Sequence, residues 1–223
     1  MPNNPFALKP LIAVVLIVCA VNIMTIATAR WAAGADTEQM VTAALSMARG
    51  PQGGMSDAQR ETAASMMRPM IRFYPVTSAV GVLIVLLALS TVFFAALALA
   101  DAGLRWPVVF GAAAYAALAQ AIAGLILTAV LSAARPPTAA QLVDSSFLST
   151  NLAAVLPESA GPVLLAAARS LDALTIVYLM VFVAMLGSYG KARVSENTIG
   201  VVVGVCFVIW LAIRMGWAAM FGG

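Results

Sequence analysis

Residues 106–134 read WPVVFGAAAYAALAQAIAGLILTAVLSAA, and no charged side chain lies between Arg105 and Arg135. About 20 apolar residues in a helix cross the roughly 30 Å of hydrocarbon in a bilayer, and this stretch exceeds that length. Lipid offers the backbone no hydrogen bonds, so only helices and closed barrels cross it, and the stretch lacks the period-two alternation of a barrel strand. The stretch therefore predicts a membrane-spanning helix.

The composition extends this prediction to the whole chain. Of the 223 residues, 63% are hydrophobic and 9% are charged, against about 45–50% and about 25% in soluble domains. Lipid must therefore cover much of the surface. The charge-free runs predict an all-α polytopic membrane protein, a bundle of about five transmembrane helices in one domain over residues 1–223. The expected spans cover residues 10–30, 74–100, 106–134, 163–188 and 197–220.

The first run has a second interpretation as a secretory signal peptide. Lys9 would supply the positively charged n-region, and the triplet Ala27, Thr28 and Ala29 resembles an A-x-A cleavage site. The apolar stretch is longer than the roughly 7–15 residues of a signal-peptide core, which favours a membrane anchor.

Two polar segments, residues 31–73 and 135–161, separate the spans, and short amphipathic helices are expected in both. In the first segment, Asp36 and Ser56 are the expected N-caps of two helices on either side of a Gly-Pro turn at residues 50–54. Such helices commonly lie in the membrane interface or cover the end of a helix bundle. Both segments are expected to lie on the outer side.

Five spans place the two termini on opposite sides of the membrane. The compact turn with Lys191 and Arg193 is typical of a cytoplasmic loop, because the positive-inside rule counts Lys and Arg in short loops. Arg105 falls on the same side. The two long outer segments hold more Lys and Arg in total, but the rule has less weight there. We therefore expect the N-terminus inside and the C-terminus outside.

Two charges within the predicted spans, Asp172 and Arg214, lie near the same membrane boundary. At 1.5 Å per helical residue, both are roughly 24–26 Å from the inner ends of spans four and five. Equal depth allows a salt bridge, and charges at a membrane boundary commonly pair or extend to water. The two residues are candidates for a structural clamp between the spans, or for a site that binds a headgroup or a solute.

Small and polar residues mark candidate helix-packing positions. Small side chains let helices approach closely in lipid, and polar side chains within spans hydrogen-bond between helices. The third span is rich in small residues, chiefly alanine, so we expect it at the centre of the bundle. The candidate positions are Gly111, Tyr115, Gln120, Gly124, Gly200 and Gly204.

The residue types present exclude several classes of active site. The chain has no histidine, which removes Ser-His-Asp and Cys-His catalysis and leaves only unusual ligand sets for zinc. Cys19 and Cys206 lie within apolar runs, where cysteine acts as a small hydrophobe. The 12 Lys and Arg residues are scattered and form no basic stripe for nucleic acid. We expect a non-enzymatic protein without a catalytic, cofactor-binding or metal site, whose partners are membrane lipids and another membrane protein or a second copy of itself.

The order of segments in the C-terminal part is similar to that of a known family. Residues 170–176, SLDALTI, open a span that ends at Gly187, and a basic turn and a last span with Trp210 follow. Two earlier stretches, residues 110–124 and 151–158, precede them in the matching order. This pattern resembles the bacterial branch of the Yip family, whose founding members are Rab-interacting proteins with five membrane helices.

The resemblance covers about residues 75–221 and, more loosely, the first span. It implies an inner-membrane protein of bacteria, expected beside ABC-type export systems. We hypothesise an accessory or scaffold subunit for another membrane protein, such as an ABC-type export system, or a role in lipid and membrane organisation. The alternative is a small-solute permease or channel, which needs a continuous polar path through the spans.

Overall fold

The computed structural model describes residues 8–47, 56–144, 146–148, 150–157, 160–189 and 192–221. The helices within these residues are α1 (Leu8–Ala33), α2 (Thr37–Met47), α3 (Asp57–Leu99), α4 (Trp106–Ala134), α5 (Ala139–Val143), α6 (Pro162–Ser170), α7 (Ala173–Tyr189) and α8 (Glu196–Phe221). Two short 3₁₀ turns, Ser146–Leu148 and Leu152–Val155, lie between α5 and α6. The described residues form no strand, so the predicted all-α class is confirmed.

Four of these helices, α1, α3, α4 and α8, are long and apolar enough to cross a membrane. Their exposed faces carry large apolar side chains, including Leu16, Ile126 and Ile213, which lipid solvates better than water. The chain is therefore an integral membrane protein, as predicted. Helix α7 is apolar but has only 17 residues, or about 25 Å at 1.5 Å per residue. That length is the lower limit for a span. Helix length therefore supports four spans, and the fifth stays a prediction.

Side-chain capping explains where helices begin within the two polar segments. The Gln39 amide donates to the Asp36 carboxylate at 2.7 Å, and the Asp36 amide donates to the Gln39 side chain at 3.2 Å. Ser56 and Gln59 form the same reciprocal pair before α3, and a third capping box precedes α5. Each box satisfies two amide groups that a helix start leaves unpaired. Helices thus begin at both of the N-caps that the sequence predicts in the first polar segment.

Helix α3 continues through the boundary that the sequence predicts between a polar segment and a span. The expected break lies near Tyr74, whereas α3 runs unbroken for 43 residues, about 65 Å. Pro75 has no amide hydrogen, so it leaves the carbonyl oxygen of Ile71, four residues earlier, without its helical donor. The Arg30 side chain on α1 supplies a donor, with Nη1 3.4 Å from that oxygen. Another helix therefore satisfies the freed carbonyl, as happens at prolines in membrane helices.

The fourth predicted span, residues 163–188, is two helices in the structure. Helix α6 ends at Ser170 and α7 begins at Ala173. Between them, Leu171 has φ −87° and ψ 75°, which lies outside the helical region. The charge-free run begins only after Asp172, and the predicted span extends it back to residue 163, across the position at which the helix breaks.

Two compact units make up the described chain. Unit 1 combines α1 as far as Val18 with residues 83–123 and 149–223, and unit 2 combines residues 19–82 and 124–148. Helices α1, α3 and α4 each supply residues to both units. In unit 1, α6 and α7 pack against α8, and in unit 2, α2 packs against α5. The sequence pattern predicts one domain and contains no sign of this division.

Two turns of unit 1 meet at one end of it. The Arg193 amide donates to the carbonyl oxygen of Ala102 at 2.9 Å, which joins the turn after α7 to the turn after α3. Gly103 in the second turn has φ +66°, which glycine adopts without strain, and a Cβ there would lie 2.7 Å from Cδ of Arg193. Arg105 and Arg193, which the sequence analysis assigns to one side of the membrane, thus lie in turns that contact each other, and the side itself stays a prediction. Lys191, the neighbouring cation of that prediction, lies outside the described residues.

Candidate functional site

Asp172, the first of the two predicted site charges, starts helix α7. Its Oδ1 accepts a hydrogen bond from the Leu174 amide at 3.1 Å, and its carbonyl oxygen accepts one from the Ile176 amide at 3.0 Å. This is the arrangement of an N-cap residue. The Thr150 hydroxyl donates to the same Oδ1. The chain's own groups therefore occupy this carboxylate oxygen, which gives Asp172 a structural role.

The backbone beside Asp172 is also tied to the segment that precedes α6. The Leu152 amide donates to the carbonyl oxygen of Leu171 at 3.3 Å, and the Ala173 amide donates to that of Thr150 at 3.2 Å. Together these bonds form one isolated antiparallel bridge. The break between α6 and α7 frees backbone groups from helical pairing, and the bridge pairs them again, as a low-polarity environment requires.

Arg214 has a different partner from the one that the sequence predicts. Its guanidinium lies over the ring of Trp210, with Cζ 5.4 Å from the ring centroid, which is a cation–π distance. Trp210 is one turn earlier on α8, so the contact needs only the i, i+4 spacing of a helix. Ion pairs among the described residues involve Arg68 and Arg193. The structure therefore does not bring Asp172 and Arg214 together.

The predicted packing positions on α4 lie in a well-buried stretch. Gly111 and Gly124 are buried, and Tyr115 and Gln120 are half-buried. The alanines next to Gly111 have no exposed surface; they are Ala112, Ala113, Ala114 and Ala116. Small side chains therefore allow close packing along this part of α4.

The two predicted glycine positions on α8 differ from each other. Gly200 faces α7, because a Cβ at this position would lie 3.9 Å from Cγ1 of Val183. Gly204 is exposed, and no described atom from elsewhere in the chain lies within 4 Å of a Cβ placed there. The pair therefore does not form one close helix–helix contact within this chain.

Unit 2 contains a cavity of about 220 Å³ that opens to the surface. One face of α1 forms its longest wall, because residues three and four apart in a helix share a face. The α1 residues in this wall are Asn22, Thr25, Ile26, Ala29 and Arg30. Tyr74 and Ser78 of α3 line the cavity as well, and the remaining wall comes from α2, α5 and the 3₁₀ turn after α5. Seven of the twelve lining residues are aliphatic or aromatic, so the cavity combines an apolar wall with several polar groups.

The polar groups of α1 that line the cavity lie at two levels along this helix. At one level, Nδ2 of Asn22 donates to Oγ of Ser78 at 3.3 Å, and the Thr25 hydroxyl donates to the Val21 carbonyl of its own helix at 2.9 Å. Arg30 lies eight residues beyond Asn22, which is about 12 Å along the helix. The amide and hydroxyl groups at the first level are therefore paired within the chain, and the charge is at the second level.

Arg30 is the charged residue among the described lining residues. It lies in the last turn of α1, where the helix dipole favours a cation. Its Nη1 donates to the Ile71 carbonyl at 3.4 Å, and its Nη2 donates to Oγ1 of Thr37 at 3.5 Å. No carboxylate in the described part of the chain lies within 4.0 Å of it. The cavity thus presents a positive charge that no acid of the described residues compensates.

Arg68, another arginine of unit 2, differs from Arg30 because it pairs with two acids. Arg68 donates from Nε to Glu38 at 2.8 Å and from Nη1 to Glu61 at 3.0 Å. These hydrogen bonds, with that to Glu38 the larger cause, raise the pKa of Arg68 above its ordinary value. All three side chains reach water, so this ion-pair network adds little to stability. Arg68 is paired with two acids, whereas Arg30 pairs with no acid in the described part of the chain.

The candidate clamp and packing positions predicted from the sequence include none of the cavity residues. A signal was present, because Asn22, Ile26 and Arg30 recur every four residues and so share one face of α1. The opposite wall comes from α3 and α5, which are distant in sequence. Only the tertiary structure shows that these helices enclose a space beside Arg30.

Tyr178 in unit 1 carries a buried hydroxyl with no hydrogen-bond partner in the described part of the chain. The residue is 6% exposed, and its ring stacks on Phe182 with centroids 6.1 Å apart. An unpaired buried hydroxyl costs about 1–3 kcal/mol, so Tyr178→Phe is expected to raise the thermal midpoint in detergent or leave it unchanged. Tyr178→Leu removes the stacked ring and should lower the midpoint. A clear loss of stability in the phenylalanine variant would contradict the prediction.

The described residues bring together no group of three Cys, Asp or Glu side chains that could hold a metal ion. The fold and the cavity define an all-α integral membrane protein with an apolar pocket beside one cation. In comparisons with known proteins, the chain matches no family model, no curated protein and no solved structure at a significant level. Function must therefore be argued from the chemistry of the site.

Proposed function

We propose that this chain is a non-enzymatic membrane protein that holds a membrane lipid and acts as an accessory or scaffold subunit for another membrane protein. The cavity of unit 2 is the observation that carries the proposal. It joins an apolar wall to one cation, Arg30, which no described acid compensates, within about 220 Å³. A lipid has the same division between an apolar chain and a polar headgroup. Binding sites generally combine apolar walls with a few placed polar groups in this way.

The proposal includes five spans, with the N-terminus inside and the C-terminus outside. Helix α7 reaches the lower length limit for a span, and α6 precedes it after a break of two residues. The hydrogen bond between Arg193 and Ala102 supports a common side for the two turns that it joins. The arginines of these turns favour the cytoplasmic side. Helices α2 and α5 would then cover the outer end of unit 2.

We also propose that the chain belongs to the bacterial branch of the Yip family and lies in the inner membrane beside an ABC-type export system. The order of segments supports this proposal, since α4, the bridge at Asp172, α7 and α8 follow each other as the resemblance implies. The two bridged residues lie in stretches that carry the resemblance. Asp172 is part of the SLDALTI segment, and Asn151 is part of residues 151–158.

A small-solute permease or channel is the alternative. Broken membrane helices form substrate sites in transporters when their freed backbone groups line a cavity. In unit 1, however, backbone groups of Leu171 and Ala173 form hydrogen bonds with residues 150–152. Oδ1 of Asp172 accepts hydrogen bonds from Thr150 and Leu174. The break between α6 and α7 therefore favours a structural junction over a solute site.

Purification in a gentle detergent, followed by native mass spectrometry, tests the proposed function. We expect the chain to retain lipid through repeated detergent washes and to co-purify with a second membrane subunit in fixed stoichiometry. Ala29→Phe tests whether the cavity holds the lipid, because it places a large side chain in the cavity and leaves Arg30 intact. This variant should lose the lipid and keep its helical content. A chain that retains no lipid and carries solute across liposomes would overturn the proposal in favour of the permease.

A further inference from the structure

We infer that the cavity of unit 2 selects a lipid with an acidic headgroup, and that Arg30 is the residue that binds the headgroup oxyanion. The inference rests on the proposed function, because it names the class of lipid that such a protein would hold. It depends on three properties of the cavity: the depth of Arg30, the state of its donors, and the size of the space.

The depth of Arg30 matches the headgroup layer. Residues 10–29 of α1 carry no charge, and 20 helical residues extend about 30 Å, the thickness of the hydrocarbon. Arg30 follows directly. Tyr74, which also lines the cavity, is 45% exposed, and tyrosine is enriched at the membrane–water interface. The charged end of the cavity therefore lies where lipid headgroups lie.

The donors of Arg30 are incompletely used. A guanidinium has five N–H groups in a planar fork that matches the two oxygens of a phosphate or carboxylate. Its contacts to Ile71 and Thr37, at 3.4 and 3.5 Å, are longer than the roughly 2.7–2.9 Å of charge-assisted bonds. The guanidinium thus has capacity for an oxyanion, and no described acid competes for it.

The size of the cavity indicates a headgroup with the start of a chain. A volume of about 220 Å³ is equivalent to roughly seven water molecules at about 30 Å³ each. Pockets for drug-sized ligands begin at about 300 Å³, so a whole lipid does not fit. Ile26 and Ala29 provide apolar wall within two turns of Arg30. The ligand would place its acidic group at Arg30 and leave most of its acyl chains in the bilayer.

A purely structural role for Arg30 is the competing explanation. In that case, Arg30 serves only to satisfy the Ile71 carbonyl that Pro75 leaves without a donor. A neutral amide could donate to a carbonyl equally well, so this role does not require a charge. It also implies no preference among lipids, and that difference makes the two explanations separable.

The test measures which lipid the purified chain retains. Delipidated protein is exchanged in detergent with an equal mixture of phosphatidylglycerol and phosphatidylcholine, and native mass spectrometry counts the lipid bound per chain. We expect wild type to retain phosphatidylglycerol at least about tenfold over phosphatidylcholine, which corresponds to about 1.4 kcal/mol. Arg30→Gln should bind both lipids equally. Ala29→Phe should bind neither.

Arg72→Gln is the matched control for loss of charge. Arg72 is an exposed arginine of the same unit that does not line the cavity, so this variant should keep the wild-type preference. Because Arg30→Gln could also weaken the α1–α3 contact at Ile71, the thermal midpoint of each variant is measured in parallel. Arg30→Lys keeps the charge and should retain part of the preference, which a loss of folding would not allow.

The outcomes separate the inference from the function on which it rests. Wild type that retains lipid without preference overturns the acidic headgroup, and Arg30→Gln that keeps the preference overturns the assignment of the headgroup to Arg30. Both outcomes leave the lipid-holding function intact. Wild type that retains no lipid overturns both. If inorganic phosphate alone raises the thermal midpoint as much as phosphatidylglycerol does, the ligand is a free anion, and the assignment to lipid is overturned.

Discussion

Replacing Asp172 with alanine is expected to lower the free energy of unfolding by about 3 kcal/mol. Loss of an N-cap costs about 1 kcal/mol, and a half-buried hydroxyl left without its acceptor costs about 1–3 kcal/mol more. Both losses occur together here, because Oδ1 of Asp172 accepts hydrogen bonds from Leu174 and from Thr150. The measurement is equilibrium unfolding in mixed detergent micelles, followed by circular dichroism.

Asp172→Asn is the control for this variant. Asparagine caps helices as well as aspartate does and keeps an acceptor for Thr150, so its loss should be within about 1 kcal/mol. Thr150→Val removes only the donor, and its effect should combine with that of Asp172→Ala to less than the sum, since the two residues share one bond. Full additivity, or an alanine variant as stable as wild type, would show that the junction between α6 and α7 does not depend on this carboxylate.

Membrane helices of this chain could be predicted from composition because the signal is one-dimensional. A charge-free run longer than about 20 residues has few other stable structures in lipid, and α4 matches the predicted residues 106–134 at both ends. The caps at Asp36 and Ser56 were equally predictable, since a capping box involves residues only three apart. Charge-free runs and capping boxes both depend only on residues that are close in sequence.

The continuity of α3 could not be predicted in this way. Pro75 after Tyr74 is a reasonable helix boundary when only local sequence is considered. The helix continues through Pro75, and Arg30, 41 residues away from Ile71 in the chain, donates to the carbonyl that this proline frees. A local pattern cannot show which distant side chain will satisfy a broken hydrogen bond.

Equal depth was also insufficient to predict the partners of Asp172 and Arg214. Two charges at similar depth can pair only if their helices face each other at that level. Asp172 is instead used by the start of α7, and Arg214 contacts Trp210 one turn away on its own helix. Asp172 therefore has a partner two residues away, Leu174, and a second one, Thr150, beside the backbone bridge. Arg214 has a partner four residues away. Aspartate is a common N-cap residue, so Asp172 at the start of a charge-free run is itself a sequence signal for a helix start.

Replacing Ala113 with leucine is expected to have an equally large effect, again about 3 kcal/mol. Ala113 has no exposed surface, and neither has Ala112 or Ala114 beside it. A branched side chain placed there has no free space to enter, and overpacking of a filled interior costs about 1–3 kcal/mol or more. Small residues also set how closely membrane helices approach, so the larger side chain would separate α4 from its neighbours over several turns.

Ala129→Leu provides the comparison within the same helix. Ala129 is exposed on α4, so leucine at this position would extend into lipid, and the free energy of unfolding should change by less than about 0.5 kcal/mol. Both variants add the same atoms to the same helix, which means that any difference between them comes from burial and not from helix propensity. Unfolding in mixed micelles should therefore destabilise Ala113→Leu alone. Equal losses in the two variants would contradict a packed interior at residues 111–116, because lipid cannot distinguish two alanines of one helix unless protein covers one of them.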